Sequence, residues 1–281
     1  MRFPVLKTRV VTAAAIGLPA LALIAFGPNW AVLALIAAAI GLATWEWGEL
    51  TGLHAAWERG VLVTLVVAPL VALGITLAQP MHLVVLLFAV LWWLLIVLAL
   101  PFYRSGVDGR GPRPKLLTVA AVLTLVPAGM AMVWLHALAP LLVVYLIVLV
   151  GLADTGAYFA GRAFGRNALA PHISPGKTRE GLLGGLAAAF AWSVVVAGIW
   201  GLVPMDALVF VLLSVLIALV SVVGDLFESI LKRQAGAKDS GSLLPGHGGI
   251  LDRIDSLIAA APIFLAGLLW LALLPALGPE A

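Results

Sequence analysis

Five carboxylates and four cations lie between Ser221 and Ser256, in a 281-residue chain with only thirteen acidic and sixteen basic residues. The stretch reads SVVGDLFESILKRQAGAKDSGSLLPGHGGILDRIDS. Ser221, Asp225, Glu228, Ser229 and Lys232 recur at helical spacing and can face one interior groove. A Gly/Pro-rich turn follows, Leu244-Pro245-Gly246-His247-Gly248-Gly249. Beyond it, Asp252 and Asp255 stand three apart on one face of the next helix start. Two groups of hard carboxylate oxygens near one membrane face suit Mg2+ held partly by water and substrate phosphate. The chain has no Cys, and His247 is the only histidine near these acids. A zinc site is therefore not expected, nor any disulfide or thiol chemistry.

A second charged stretch runs from Asp154 to Gly185, DTGAYFAGRAFGRNALAPHISPGKTREGLLGG. Asp154, Tyr158 and Arg162 are four apart and share a helix face. Asp154 sits about two turns inside the apolar segment, where a carboxylate needs a cation, a metal or water. A structural pair with a basic residue would satisfy it as well as a functional role. The run PHISPGKT lacks the first glycine of a phosphate-binding P-loop, with Pro171 in that place, and follows a membrane helix instead of a strand. Ser174-Pro175 reads as an N-cap and first helical residue, which predicts a helix start there with free amides and Lys177-Thr178 beside an anion. Gly181 and Gly185, four apart, predict close packing of that helix on a neighbour.

Ser229 to Asp255 resembles the signature of the phosphatidate cytidylyltransferases, also called CDP-diacylglycerol synthases. Every specified position is filled: Ser229, Leu231, Lys232, Arg233, Lys238, Asp239, Gly241, Leu244, Pro245, His247, Gly248, Gly249, Ile250, Asp252, Arg253, Ile254 and Asp255. The family's other run is matched at Asp154 to Tyr158, Gly161-Arg162, Phe164-Gly165, Ile173 to Pro175, Lys177-Thr178 and Glu180-Gly181. The likeness covers roughly residues 145–260, and the first half of the chain matches only in hydropathy.

The resemblance implies a membrane enzyme that makes CDP-diacylglycerol from CTP and phosphatidate. It also implies a divalent metal, usually Mg2+, and allows a second, monovalent cation such as K+. A phosphatidate oxygen would attack the α-phosphorus of CTP and release pyrophosphate. The nucleophile is already an anion, so positioning and charge neutralisation carry the rate. On this reading catalysis falls on Asp225, Lys232, Lys238, Asp252 and Arg253. Substrate binding falls on Asp154, Arg162, Ser174, Lys177, Thr178, Arg233, His247, Gly248 and Gly249. Asp225, Asp239, Asp252 and Asp255 are the expected metal ligands. Asp239 equally suits orienting Lys238, and His247, with nothing to deprotonate, suits a turn or a phosphate contact. Asp252 also fits a plain cap of the last helix, since acids favour helix starts. Lys232 and Arg233 are what a cytoplasmic helix end demands in any membrane protein.

Positioning these residues requires membrane helices. The chain is 63% hydrophobic and 10% charged, against about 25% charged in soluble domains. Apolar windows fall near residues 10–27, 30–50, 60–78, 82–101, 115–136, 138–160, 181–203, 207–231 and 254–275. Each approaches the roughly 20 residues a span needs. The expected fold is thus an all-α polytopic membrane protein of about nine helices. It forms one domain over residues 1–281, with N-terminal helices in 1–137 and catalytic helices and loops in 138–275. The first window follows a basic start, as a signal peptide does, but its apolar run is long and another span comes at once. All sixteen basic residues fall on alternate loops of a nine-span chain. The positive-inside rule then puts the N-terminus and charged loops in the cytoplasm, at the inner membrane, and the C-terminus outside.

Several residues carry a plainer expectation. Trp45, Trp47, Trp92, Trp93, Trp134, Trp200 and Trp270 lie near span ends and suit interfacial anchoring. Glu46, Glu49 and Glu58 could join an active site, but solvated helix ends are the plainer reading. Residues 102–115 read as a mobile basic connection to anionic headgroups. The expected partners are CTP, phosphatidate and membrane lipids; a homodimer is allowed, and no nucleic acid is expected. Three other readings compete. A CTP-dependent lipid kinase of the dolichol kinase type transfers the γ-phosphoryl group. A CDP-alcohol phosphotransferase needs a motif that Asp108-Gly109-Arg110-Gly111 does not supply. A transporter places its ion site near the midplane between repeats, and no repeat is visible.

Overall fold

The computed structural model describes residues 15, 17–77, 79–103, 114–243 and 248–274. After a short apolar helix α1 (Gly17–Phe26), eight helices are long and apolar enough to cross a membrane. They are α2 (Asn29–Leu50), α3 (Ala56–Ile75), α4 (Pro80–Ala99), α5 (Pro114–Leu138), α6 (Pro140–Phe164), α7 (Arg179–Ile199), α8 (Pro204–Gln234) and α9 (Leu251–Trp270). Eight of the nine expected windows therefore appear as spanning helices. The first is described only as the ten-residue α1, and Arg2, Lys7 and Arg9 lie outside the described residues. So do His247 and most of the basic connection, residues 104–113.

Proline sets several starts. Pro80, Pro140 and Pro204 open α4, α6 and α8, where the missing N–H costs nothing and the fixed φ is already helical. Helix α8 has 31 residues and is about 46 Å long, well beyond the roughly 30 Å hydrocarbon core. Its last turns, bearing Asp225 to Arg233, thus lie at one membrane face. Gly236, at φ +65, ends it: the Gly236 N–H donates to the Arg233 carbonyl and the Ala237 N–H to the Lys232 carbonyl, 2.9 Å away.

Helix α9 is the centre of the bundle and packs on α2, α4, α5, α6 and α8. Its Ala259, Ala260, Ala261 and Phe264 are fully buried. The closest helix pair is α6 with α7. A methyl group at Gly185 would sit 2.7 Å from the Ala153 carbonyl oxygen, and one at Gly181 2.9 Å from that of Ala157. Only glycine admits this approach, as the spacing predicts.

Cross-helix contacts fix the two ends. The Leu251 N–H donates to Glu46, and the Trp47 indole donates to the Leu117 carbonyl. These join the end of α2 to the starts of α9 and α5. At the other end, His136 of α5 hydrogen-bonds Asn29 of α2 at 2.6 Å. The ends of α2 and α8 and the starts of α5 and α9 therefore share one end of the bundle, in keeping with the alternation of basic residues.

Three expectations need correction. Trp47, Trp93 and Trp134 are buried in the core instead of anchoring at the interface. Trp47, Trp92 and Trp93 surround Phe227 of α8, with ring centroids 5.8–6.3 Å away. This aromatic cluster locks the charged end of α8 against α2 and α4. Glu46 is not a solvated helix end but is buried. The third correction concerns residues 168–178. A small antiparallel hairpin, β1 (Ala168–Ala170) and β2 (Ser174–Thr178), interrupts the helices. Ser174 and Pro175 thus lie in a strand, not at a helix start. Both strands are edges and tolerate Pro175. The N-cap of α7 is Thr178, whose hydroxyl accepts the Gly181 N–H at 3.0 Å.

Candidate active site

The hairpin is a strap between α6 and α7 that carries Lys177 across to α8. Lys177 forms an ion pair with Asp225, both side chains being partly exposed. The strap is anchored by Glu180, which accepts the Arg166 and Asn167 N–H groups at 3.1 and 3.2 Å and the Asn167 amide at 2.7 Å. Under it opens a cavity of about 400 Å3 lined by Asp154, Tyr158, Arg162, Lys177, Thr178 and Asp225. Arg162 donates to the Tyr158 hydroxyl at 3.2 Å, so the face expected of α6 forms one wall. The cavity thus brings together two cations, Arg162 and Lys177, and two carboxylates, Asp154 and Asp225.

A second cluster surrounds the start of α9. Asp252 accepts from the Ser240 N–H at 2.8 Å, the Ser240 hydroxyl at 2.9 Å and the Gly249 N–H at 2.9 Å through one oxygen. Its other oxygen accepts from Lys232 at 2.7 Å. Lys232 also pairs with the fully buried Glu228 one turn earlier. Beside them Glu46 accepts the Ile250 N–H at 3.1 Å, the Leu251 N–H at 2.9 Å and the Ser240 hydroxyl at 3.1 Å. Its charge meets the positive end of α9. A hydroxyl has one proton, so Ser240 serves Glu46 and Asp252 alternately.

The glycines of the turn follow from these carboxylates. Gly248 has φ +79, and a methyl there would lie 2.9 Å from an Asp252 oxygen. At Gly241 a methyl would lie 2.6 Å from one Glu46 carboxylate oxygen, and at Gly249 it would lie closer still to the other. Side chains at these places would push the backbone off the groups it donates to.

The two clusters meet through Asp255. Its carbonyl backs directly on Gly224 of α8, and its carboxylate is within electrostatic reach of Asp225 and Glu228. Asp225 in turn interacts with Asp154. Among the described residues no three acids or histidines converge into a finished metal cage. The donor set is nevertheless all hard oxygen, and phosphates and water can complete a Mg2+ shell. Asp225 already meets Lys177 through one oxygen and accepts the Ser229 hydroxyl at 3.4 Å through the other, and Asp255 accepts the Ser256 N–H at 2.6 Å. Asp252 enters such a shell only by exchanging donors it already holds.

The cytidylyltransferase family model matches residues 7–271. The chain belongs to this family. It is 43% identical to the phosphatidate cytidylyltransferase of Pseudomonas aeruginosa, over 84% of this chain and 87% of that one. With the phosphatidate cytidylyltransferase of Haemophilus influenzae it shares 40% identity over 92% of this chain and 97% of the relative. A relative of the same name from Brucella suis is 50% identical over 127 residues, 43% of this chain and 44% of the relative.

Within this cytidylyltransferase the expected site residues divide by place. Asp154, Arg162, Lys177, Thr178 and Asp225 share the cavity. Lys232, Asp252, Gly248 and Gly249 form the cluster at α9, and Arg233 reaches back to the Ile173 carbonyl at 3.5 Å. Lys238, Asp239 and Arg253 are exposed around the turn. Ser174 lies in β2 outside the described cavity lining. Sequence reasoning allowed Glu46 a place in an active site but favoured a solvated helix end, and the structure buries it against the start of α9.

Proposed function

We propose that the chain transfers CMP from CTP to phosphatidate at this cavity, giving CDP-diacylglycerol and pyrophosphate for phospholipid synthesis. The Lys177–Asp225 pair carries the reading: a phosphate-binding cation and a metal-binding carboxylate are held together, partly exposed, in a cavity at a membrane face. Family membership and two near-full-length relatives named phosphatidate cytidylyltransferase support it.

In the reaction a phosphatidate phosphate oxygen forms a bond to the α-phosphorus of CTP. The bond from that phosphorus to the oxygen bridging to the β-phosphate breaks, and pyrophosphate leaves with the electron pair. No proton has to move, so no general base is needed. Lys177 and Arg162 would neutralise phosphate charge in the cavity, with Lys232, Arg233, Lys238 and Arg253 extending the positive field. Gly248 and Thr178 would orient phosphates by hydrogen bonds, and Gly249 would do so on releasing Asp252, with Ser174 and His247 nearby in the chain. Asp225 and Asp255, with Asp252 or Asp239, would hold Mg2+, which would supply positive charge to offset that of the phosphates. A second, monovalent cation such as K+ would add further positive charge.

The test uses the purified full chain with CTP, phosphatidate and Mg2+. The expected products are equal amounts of pyrophosphate and a CDP-lipid. Release of CDP with a phosphorylated lipid would instead make it a lipid kinase, and absence of any phosphatidate-dependent product from folded protein would overturn the proposal.

The site would face the cytoplasm from the inner membrane, with nine spans and a cytoplasmic N-terminus. A reporter inserted at Gly109 should be cytoplasmic and one fused after Ala281 extracytoplasmic. The same side for both would refute the nine-span arrangement.

A further inference from the structure

A second cavity lies against the first. It has a volume of about 580 Å3, within the range of roughly 300–1,000 Å3 typical of ligand pockets. Its walls are the charged end of α4 with the turn to Tyr103, the hairpin loop at Pro171 and the flank of α8. Among its described lining residues only Tyr103 and His172 are polar. Leu169, Leu182 and Val222 line both cavities. They form an apolar partition, with Lys177 and Asp225 on one side and Val97, Leu216 and Val220 on the other.

We infer that this groove holds one acyl chain of the phosphatidate substrate while its phosphate occupies the charged cavity. The inference rests on the function proposed above. A molecule with a phosphate at one end and hydrocarbon at the other matches both cavities across their shared wall. CTP has no hydrocarbon to place there. Val97 of α4 and Leu216 and Leu219 of α8 are exposed on the outer flank, so the groove opens sideways to lipid. A phosphatidate molecule can therefore enter between α4 and α8 without its chain crossing water, which saves the cost of exposing each methylene. The hairpin roofs both cavities, so one element aligns headgroup and chain.

The experiment compares dioleoyl and dihexanoyl phosphatidate in detergent micelles, with the full chain and Val220→Trp. Filling the groove should raise KM for the dioleoyl substrate about tenfold, equivalent to losing burial of roughly two methylenes. KM for CTP and turnover of the dihexanoyl substrate should change little, which also reports an intact fold. An unchanged preference between the two lipids would overturn the groove assignment. A wild-type chain without phosphatidate-dependent pyrophosphate release would instead sink the proposed function. Independently of turnover or of the variant's folding, wild-type protein is irradiated with phosphatidate bearing a diazirine at the end of one acyl chain. Label on residues 97–103 and 216–226 supports the groove. Label elsewhere, or equal labelling by a matching phosphatidylcholine, rejects it in favour of general lipid contact.

Discussion

Asp225→Asn should lower turnover by at least about two orders of magnitude, the usual cost of one electrostatic catalytic group. The substitution keeps the shape and removes one charge at the residue that meets Lys177 and interacts with both Asp154 and Asp255. It should also raise the Mg2+ concentration needed for half activity, because a neutral amide is a poor ligand for a hard cation. Thermal stability should fall little, since the pair is partly exposed and such pairs contribute about 0–1 kcal/mol. Asp252→Asn should differ in that respect. Its carboxylate accepts from Ser240, Gly249 and Lys232, so this variant should lose stability together with activity. The double variant should be little less active than either single one, because both disturb one phosphate site. The measurements are pyrophosphate release against Mg2+ and a melting curve. A folded, inserted Asp225→Asn with near-normal rate and Mg2+ dependence would remove Asp225 from the metal site.

Much of this architecture was legible because membrane helices satisfy their own backbone and so announce themselves locally. The apolar windows, the alternation of charge and the glycine pair at 181 and 185 are all short-range patterns. The face formed by Asp154, Tyr158 and Arg162 is a matter of helical spacing alone, and it lines the cavity as expected. What failed depends on distant partners. Ser174 to Thr178 looks like a helix start because Ser-Pro is a good cap, yet its conformation is set by pairing with Ala168 and Ala170. A three-residue strand is too short to show a period of two. Trp47 and Trp93 sit where interfacial tryptophans sit, and distant partners hold them in the core, Phe227 for both and the Leu117 carbonyl for Trp47. The signature residues around Asp252 were legible as a group, but not as two kinds. Their glycines wrap carboxylates, while Lys232 links α8 to α9.

Glu46 is the sharpest case of a residue whose role lies 200 positions away, and Glu46→Ala should be among the most damaging changes in the N-terminal helices. The carboxylate is 2% exposed and accepts two N–H groups from the start of α9, separated from it by 204 and 205 residues. Removing it leaves those donors and the Ser240 hydroxyl with fewer acceptors in a buried place. Each unsatisfied donor costs about 1–3 kcal/mol, so with two N–H groups orphaned a loss of at least about 2 kcal/mol is expected. Glu46→Gln tests the charge separately. It retains one acceptor oxygen but sets an amide N–H2 against donors, and it removes the negative charge that complements the N-terminus of α9. The consequence should reach the chemistry, because Ser240 and Gly249 hold Asp252 and Asp252 holds Lys232. Both variants should therefore melt earlier and turn over more slowly, while Glu49→Gln, whose partner Arg59 lies at an exposed ion pair, should do neither. Melting curves and pyrophosphate release on the three purified variants decide the point. Wild-type stability and rate in Glu46→Ala would show that α9 is held in register without this carboxylate.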